Sequence, residues 1–173
     1  MKNKMKKERE PINILFLDYD GVVNTPMWDA TGKKCTYNFP SDNKVNNFQA
    51  VQWVSEFCEK FKFSIVVTST WRMHENWEEC LINGGLRKSV EIIGRTDIIS
   101  HNRAKEIQDY LNKHDWDTFL IFDDEKIKKF SKYQIKCNDG CGFCKENYVT
   151  AVNMFSRHSV NNEWSYDFKK HFQ

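Results

Sequence analysis

The chain has 173 residues, 40% hydrophobic and 29% charged, with 26 Lys and Arg against 24 Asp and Glu for a net charge of +2. That length suits one domain with a sizeable core and is too short for two. Seven Gly and three Pro exclude collagen-like and low-complexity chains, the near-neutral charge excludes a broadly cationic nucleic-acid grip, and no apolar run approaches the roughly 20 residues of a membrane span.

Residues 1–10 carry five Lys/Arg against two Glu without apolar periodicity, and read as a flexible basic arm. Residues 11–160 form the domain and residues 161–173 a charged, aromatic tail. The basic start followed by INILFL superficially resembles a signal peptide. The apolar stretch is short and ends in Asp18 and Asp20, which makes it a core strand. The expected location is therefore cytoplasmic, or secreted without a classical signal peptide if the chain is an effector. Six Cys, at 35, 58, 80, 137, 141 and 144, are expected as reduced thiols.

The first strand covers residues 12–17 and breaks at DYDG, where Gly21 permits a sharp turn. A flap spans residues 24–43, with Pro26, Gly32 and Pro40 and the aromatics Trp28, Tyr37 and Phe39, which are assigned to packing ahead of a substrate platform. Val45, Phe48, Val51, Val54, Phe57 and Phe61 recur at helical spacing, with Ser41, Asp42 or Asn43 as caps. The strand FSIVV (63–67) runs into TSTWR. A helix over 74–82 stops at Asn83-Gly84-Gly85, and Val90–Ile93 reads as a short strand. Ala104, Ile107 and Leu111 mark a helix over 102–113. TFLIF (118–122) is a third buried strand, running into Asp123-Asp124. A last strand covers 133–137 and a last helix 146–156, with Val149, Val152 and Phe155 inward. This alternation predicts an α/β fold: a Rossmann-like, doubly wound, mainly parallel sheet with helices on both faces.

Three buried strands thus end in polar residues: Asp18-x-Asp20, Thr68-Ser69-Thr70 and Asp123-Asp124. Ligands of open α/β sheets sit at the carboxyl ends of the strands, so these clusters converge on one crevice. Asp18 and Asp20, two apart in extended chain, face the same way. Three or four carboxylates meeting there repel one another and call for a hard cation with oxygen ligands, most simply Mg²⁺. Hydroxyls and a nearby Lys or Arg then suit a phosphate. Receiver modules also group acids at strand ends, but with the acidic pair on the first strand; here DxDG comes first and DD late.

FLDYDGVVN, IVVTSTWR and LIFDDE together resemble the haloacid dehalogenase (HAD) superfamily of phosphohydrolases over about residues 12–145. The SSxWR-like second motif and the helix Arg103-Ala-Lys-Glu-Ile-Gln-Asp-Tyr-Leu111 are similar to the small HAD domains of bacterial RNA-repair-like proteins. The resemblance implies a Mg²⁺-dependent phosphatase. Asp18 would attack phosphorus and form an aspartyl-phosphate. Asp20 would protonate the leaving oxygen and then deprotonate water. Thr68 would bind the phosphoryl oxygens, with Ser69 in its place if the strand ends one residue later. Arg103 would neutralise the transferring group, with Lys105 as the alternative on the same helical turn. Asp123 would bind Mg²⁺ beside Asp18 and the Asp20 carbonyl, with Asp124 helping through water.

Arg72 is open between touching substrate, bracing the acidic site and being a plain surface residue. Cys137-x₃-Cys141-x₂-Cys144 has the spacing of an iron–sulfur triad, but it lies late in a short chain. Reduced thiols in a loop are the reading, with structural zinc completed by Cys35 or His158 as the alternative. Lys126, Lys128, Lys129, Lys132 and Lys136 form a solvated face able to steer an anion. Neither gap between motifs holds a cap domain, so the open site suits an exposed phosphate on a macromolecule. The near-neutral charge tilts this toward a phosphoprotein, such as one carrying phosphotyrosine, over a nucleic-acid end. A small-molecule nucleotidase and a non-catalytic phosphate-binding signalling module are the alternatives.

Overall fold

The computed structural model describes residues 9–26 and 38–160. Five parallel strands, β1 (Asn13–Leu17), β2 (Phe63–Val67), β3 (Ile92–Arg95), β4 (Thr118–Asp123) and β5 (Gln134–Lys136), form one sheet in the order β3-β2-β1-β4-β5. The chain winds outward from β1 through β2 to β3, returns to β4 on the other side of β1, and continues to β5. The direction of winding reverses between β1 and β4, where such sheets open a crevice. β1 and β4 are buried along their whole length, as their unbroken apolar runs require of strands covered on both faces.

Both faces are covered. Helix α1 (Phe48–Phe61) sets Phe57 against Phe63 and Phe122 on one face, and α4 (Lys145–Val160) adds Phe155 against Phe63 there. Helix α3 (Arg103–Lys113) packs Tyr110 edge-on to Phe16 on the other face. The short α2 (Trp77–Asn83) follows a 3-10 turn at Thr70–Met73. The doubly wound α/β architecture expected from the alternation is the observed one, with every strand pair parallel.

Several local expectations move. The first helix is not capped from residues 41–43: Pro40–Asp42 is a separate 3-10 turn closed by Asn43 at φ 54°, and the helix starts at Phe48 with the Asn47 side chain accepting from the Ala50 amide. Phe48, counted as core, is 61% exposed, because the helix begins with that side chain facing out. α2 starts at Trp77, since the Ser69 side chain first caps the 3-10 turn. The third strand is Ile92–Arg95 and lies two residues later than the apolar pattern placed it. Val149 faces solvent, while Val152 and Phe155 pack on the core. Arg9 of the N-terminal arm is tied to Asp117 at 2.8 Å. Residues 1–8, most of the flap including Trp28, Cys35 and Tyr37, and the tail from 161 lie outside the described residues. Among the described residues no helix is long and apolar enough to cross a membrane.

Candidate active site

Register builds the site. Leu17 pairs with Val67 on one side and Phe122 on the other, and Val67 pairs with Arg95. The next residues, Thr96, Thr68, Asp18 and Asp123, therefore stand in one row across four strands. Amide bonds carry the ladder into that row, from Thr68 to Leu17, from Asp18 to Phe122 and from Thr96 to Val67. Residues one position past in-register parallel strands share a sheet face, so the Thr68 hydroxyl and the Asp18 and Asp123 carboxylates point to the same side.

Asp18, Asp123 and Asp124 offer carboxylate oxygens that all lie within 4.8 Å of one another. The Asp18 carboxylate accepts from the Tyr19 amide at 2.8 Å, and Asp123 accepts from the Glu125 amide at 2.8 Å. Asp124 sits over Gly21. That glycine has φ +73°, and a Cβ there would lie 2.4 Å from the Asp124 carboxylate carbon. The turn after Asp20 thus needs glycine for its backbone and for the space Asp124 fills.

Arg103, at the start of α3, reaches the row. Its Nη1 donates to Asp123 Oδ2 at 2.6 Å and to Thr68 Oγ1 at 3.2 Å, and lies 3.3 Å from Asp18 Oδ2. Burial works against its charge, but the Asp18 and Asp123 carboxylates more than offset this and hold its pKa above the usual value. One guanidinium among three acids leaves net negative charge. Burial, reinforced by the charge of Asp18, pushes Asp123 up to about 7 and Asp124 up to about 6. A compact, partly protonated set of hard oxygen ligands fits a divalent cation, which would displace the protons.

Asp20 stands apart from that cluster. Asn24 Nδ2 donates to its Oδ1 at 2.6 Å and Trp71 Nε1 to its Oδ2 at 3.0 Å, while burial raises its pKa. Both oxygens are oriented, and the carboxyl is biased toward the protonated form that an acid catalyst needs.

The other named candidates fall elsewhere. Ser69 is buried and its Oγ accepts from the Trp71 amide at 3.3 Å, so its hydroxyl caps the following turn. Lys105 is exposed on a different surface, a shallow depression shared with Gln108 and Asn112. Arg72 is only 4% exposed: Nε donates to the Thr96 carbonyl at 3.0 Å, Nη1 to the carbonyls of Thr68 and Ser69, and Nη2 to Glu106 Oε2 at 2.7 Å. That geometry is a brace; a surface role is ruled out by its burial. Glu106 in turn accepts from the Ile99 amide at 3.2 Å.

Among the described residues, Asp18, Asp123 and Asp124 are the one group whose geometry could hold a metal; Cys137, Cys141 and Cys144 do not converge. Burial pushes the Cys137 thiol far up, away from the thiolate a metal needs. Cys144 Sγ donates to Asn147 Oδ1 at 3.1 Å, and Cys141 is exposed. The loop is tied to the turn after Asp20, where the Phe143 amide donates to the Val22 carbonyl at 2.7 Å.

Asn24, Trp71 and Glu106 were given no role by the sequence reading. Asn24 closes the first motif, Trp71 lies in the second, and Glu106 is one turn beyond Arg103. Their positions were visible, but not their partners. No curated protein matches the chain. The family model of the HAD domain in Swiss Army Knife RNA repair proteins matches residues 14–148, a span containing four strands whole, all of β1 but its first residue and every side chain of this acidic row, and the chain belongs to that family.

Proposed function

We propose that the protein is a Mg²⁺-dependent phosphomonoesterase that works through an aspartyl-phosphate and acts on the terminal phosphate of a nucleic acid. Its family is one of phosphatase-type hydrolases. The observation that carries the reading is the row of Thr68, Asp18 and Asp123, with Arg103 Nη1 between 2.6 and 3.3 Å from all three and an Asp124 oxygen within 4.8 Å of the other two carboxylates.

Asp18 supplies the nucleophilic oxygen. Its carboxylate forms a bond to phosphorus as the bond from phosphorus to the ester oxygen breaks, and Arg103 and the Thr68 hydroxyl hold the non-bridging oxygens. Asp20 gives its proton to the leaving oxygen and then takes one from the water that attacks the aspartyl-phosphate. Bound by Asp18, Asp123 and the Asp20 carbonyl, with Asp124 nearby, Mg²⁺ would supply charge neutralisation for the phosphoryl group.

The charge balance leans toward a phosphoprotein, but the family is described from RNA repair proteins, which favours a nucleic-acid end. Five exposed lysines beyond Asp123 also suit a polyanion. The test is phosphate release from 3′- and 5′-phosphorylated oligonucleotides and from phosphotyrosine and phosphoserine peptides, with Mg²⁺ or EDTA. Oligonucleotide turnover that requires Mg²⁺ and disappears in Asp18→Asn is the expected result. Mg²⁺-dependent turnover of the peptides alone would overturn the substrate class, and undiminished activity of Asp18→Asn would overturn the mechanism.

A further inference from the structure

A concavity with a volume of about 640 Å³, lined by Phe39, Pro40, Ser41, His74, Glu75 and Asn76, is linked through hydrogen bonds to Asp20. That volume falls in the range of small-ligand sites, roughly 300–1,000 Å³. Its two walls are fastened to the same carboxylate. Asn24 Nδ2 bridges Asp20 Oδ1, at 2.6 Å, and the carbonyl of Asn38, at 3.0 Å, next to Phe39. Trp71 Nε1 reaches Asp20 Oδ2 at 3.0 Å, and the turn carrying Trp71 ends at His74. Asn76 Nδ2 ties the walls together through the Pro40 carbonyl at 3.0 Å and Asn43 Oδ1 at 2.8 Å.

Phe39 is 58% exposed although the domain has core to spare. Phe39, His74 and Pro40 bring three rings to the lining of this concavity, and Ser41 and Glu75 bring exposed polar groups. Flat faces with a hydrogen-bonding rim are what an unstacked nucleobase uses, through its π-face and its edge. A phenyl ring would use the faces and leave the edge unpaired.

We propose that this concavity is a subsite for the nucleobase of the nucleotide that bears the scissile phosphate, with Phe39 and His74 as its stacking faces. The assignment rests on the phosphatase reading of the acidic row and adds to it a specificity determinant: the Asp20 carboxyl that serves the leaving oxygen also anchors both walls of the base site. An end whose base is splayed from its neighbour would then be chosen over one buried in a stack.

The experiment uses the full chain and two single-stranded oligonucleotides with a terminal phosphate, one with an ordinary terminal nucleotide and one whose terminal nucleotide is abasic. Wild type is expected to show a KM about tenfold higher for the abasic end, with kcat within threefold. Phe39→Ala and His74→Ala should each raise KM for the ordinary end about tenfold and leave the abasic end unchanged, which a folding defect would not do. In parallel, calorimetry with Mg²⁺ and Asp18→Asn protein compares a nucleoside monophosphate with ribose phosphate. The nucleoside monophosphate should bind about tenfold tighter, and Phe39→Ala should erase the difference.

Equal KM for both ends, or equal losses on both in the variants, would overturn the subsite while leaving phosphatase activity intact. Base-dependent binding that needs Phe39 without any turnover would uphold the subsite and sink the phosphatase reading. Equal binding of nucleoside monophosphate and ribose phosphate would sink the subsite whatever the turnover. A Phe39→Ala loss seen on phosphotyrosine peptide but not on the oligonucleotide would assign the concavity to a protein ring instead.

Discussion

Asp20 shows how one side chain can be tuned chiefly by burial and neutral hydrogen bonds, with the charges of Asp18 and Arg103 acting in opposite directions as smaller effects. Its two oxygens receive the Asn24 amide and the Trp71 indole, and burial raises its pKa in spite of both bonds. If it protonates the leaving oxygen, Asp20→Asn should lower kcat by about 10²–10⁴-fold on alkyl phosphates. The loss should be smaller on para-nitrophenyl phosphate, whose leaving group needs little protonation. Steady-state kinetics on the two substrates check this, and equal losses would remove Asp20 as the acid. Gly21 carries a second prediction at this scale. Gly21→Ala places a methyl group against the Asp124 carboxylate in a left-handed turn, which should cost about 1–3 kcal/mol of stability. Because Asp124 must move, Mg²⁺ affinity should fall as well. Thermal denaturation and a Mg²⁺ titration would register both effects.

At the scale of elements, the notable joint is between the turn after β2 and the start of α3. Arg72 and Glu106, 4% and 2% exposed, form an ion pair that also holds the carbonyls of Thr68, Ser69 and Thr96 and the amide of Ile99. Arg103 lies one helical turn before Glu106, so the pair sets the distance between the Thr68 hydroxyl and the guanidinium it meets. Glu106→Gln leaves Arg72 buried without its counter-charge and should cost about 3–5 kcal/mol. The double replacement Arg72→Met, Glu106→Leu should recover most of that stability, because an apolar pair fits a buried site. kcat should stay roughly 10²-fold low, because the carbonyls of the turn lose their anchor. Melting curves beside kinetics separate the two effects; a double variant with wild-type kcat would reduce the pair to a stabilising role. Arg72 was legible as a residue of interest through the motif beside it, and Glu106 was not. A bond between positions 34 apart leaves no periodic trace in the sequence.

At the scale of the whole molecule, the sheet imposes a dependence on pH. Asp123 and Asp124, pushed up to about 7 and about 6, hold protons in the fold that the unfolded chain, with carboxylates near 3.9, has already released. Native protein therefore binds more protons than unfolded protein between about pH 4 and pH 7, and stability falls as pH rises through that window. In EDTA the Tm should be higher at pH 5 than at pH 8. Mg²⁺ competes with the same protons, so its stabilising shift should be larger at pH 8 than at pH 5. Scanning calorimetry at both pH values, with and without Mg²⁺, checks the sign. A Mg²⁺ shift that is larger at pH 5 would contradict the cation site.

The order of strands and helices, the three apolar strands and the polar residues that end them could all be read from local patterning, because burial on both faces demands unbroken apolar runs and the chain must turn polar where it leaves the sheet. Element starts were less legible: Pro40–Asp42 and Thr70–Met73 became short 3-10 turns because Asn43 and Ser69 satisfy backbone groups locally, which periodicity does not detect. The sequence by itself determined which acids and hydroxyls were present and the strand ends that carry them. Only the tertiary structure decided their company: parallel register put Thr68, Asp18 and Asp123 in one row, helix α3 delivered Arg103 and not Lys105 to that row, and burial turned Arg72 inward to Glu106. Each of those outcomes depends on contacts between residues far apart in the chain, and such contacts exist only once the sheet has closed.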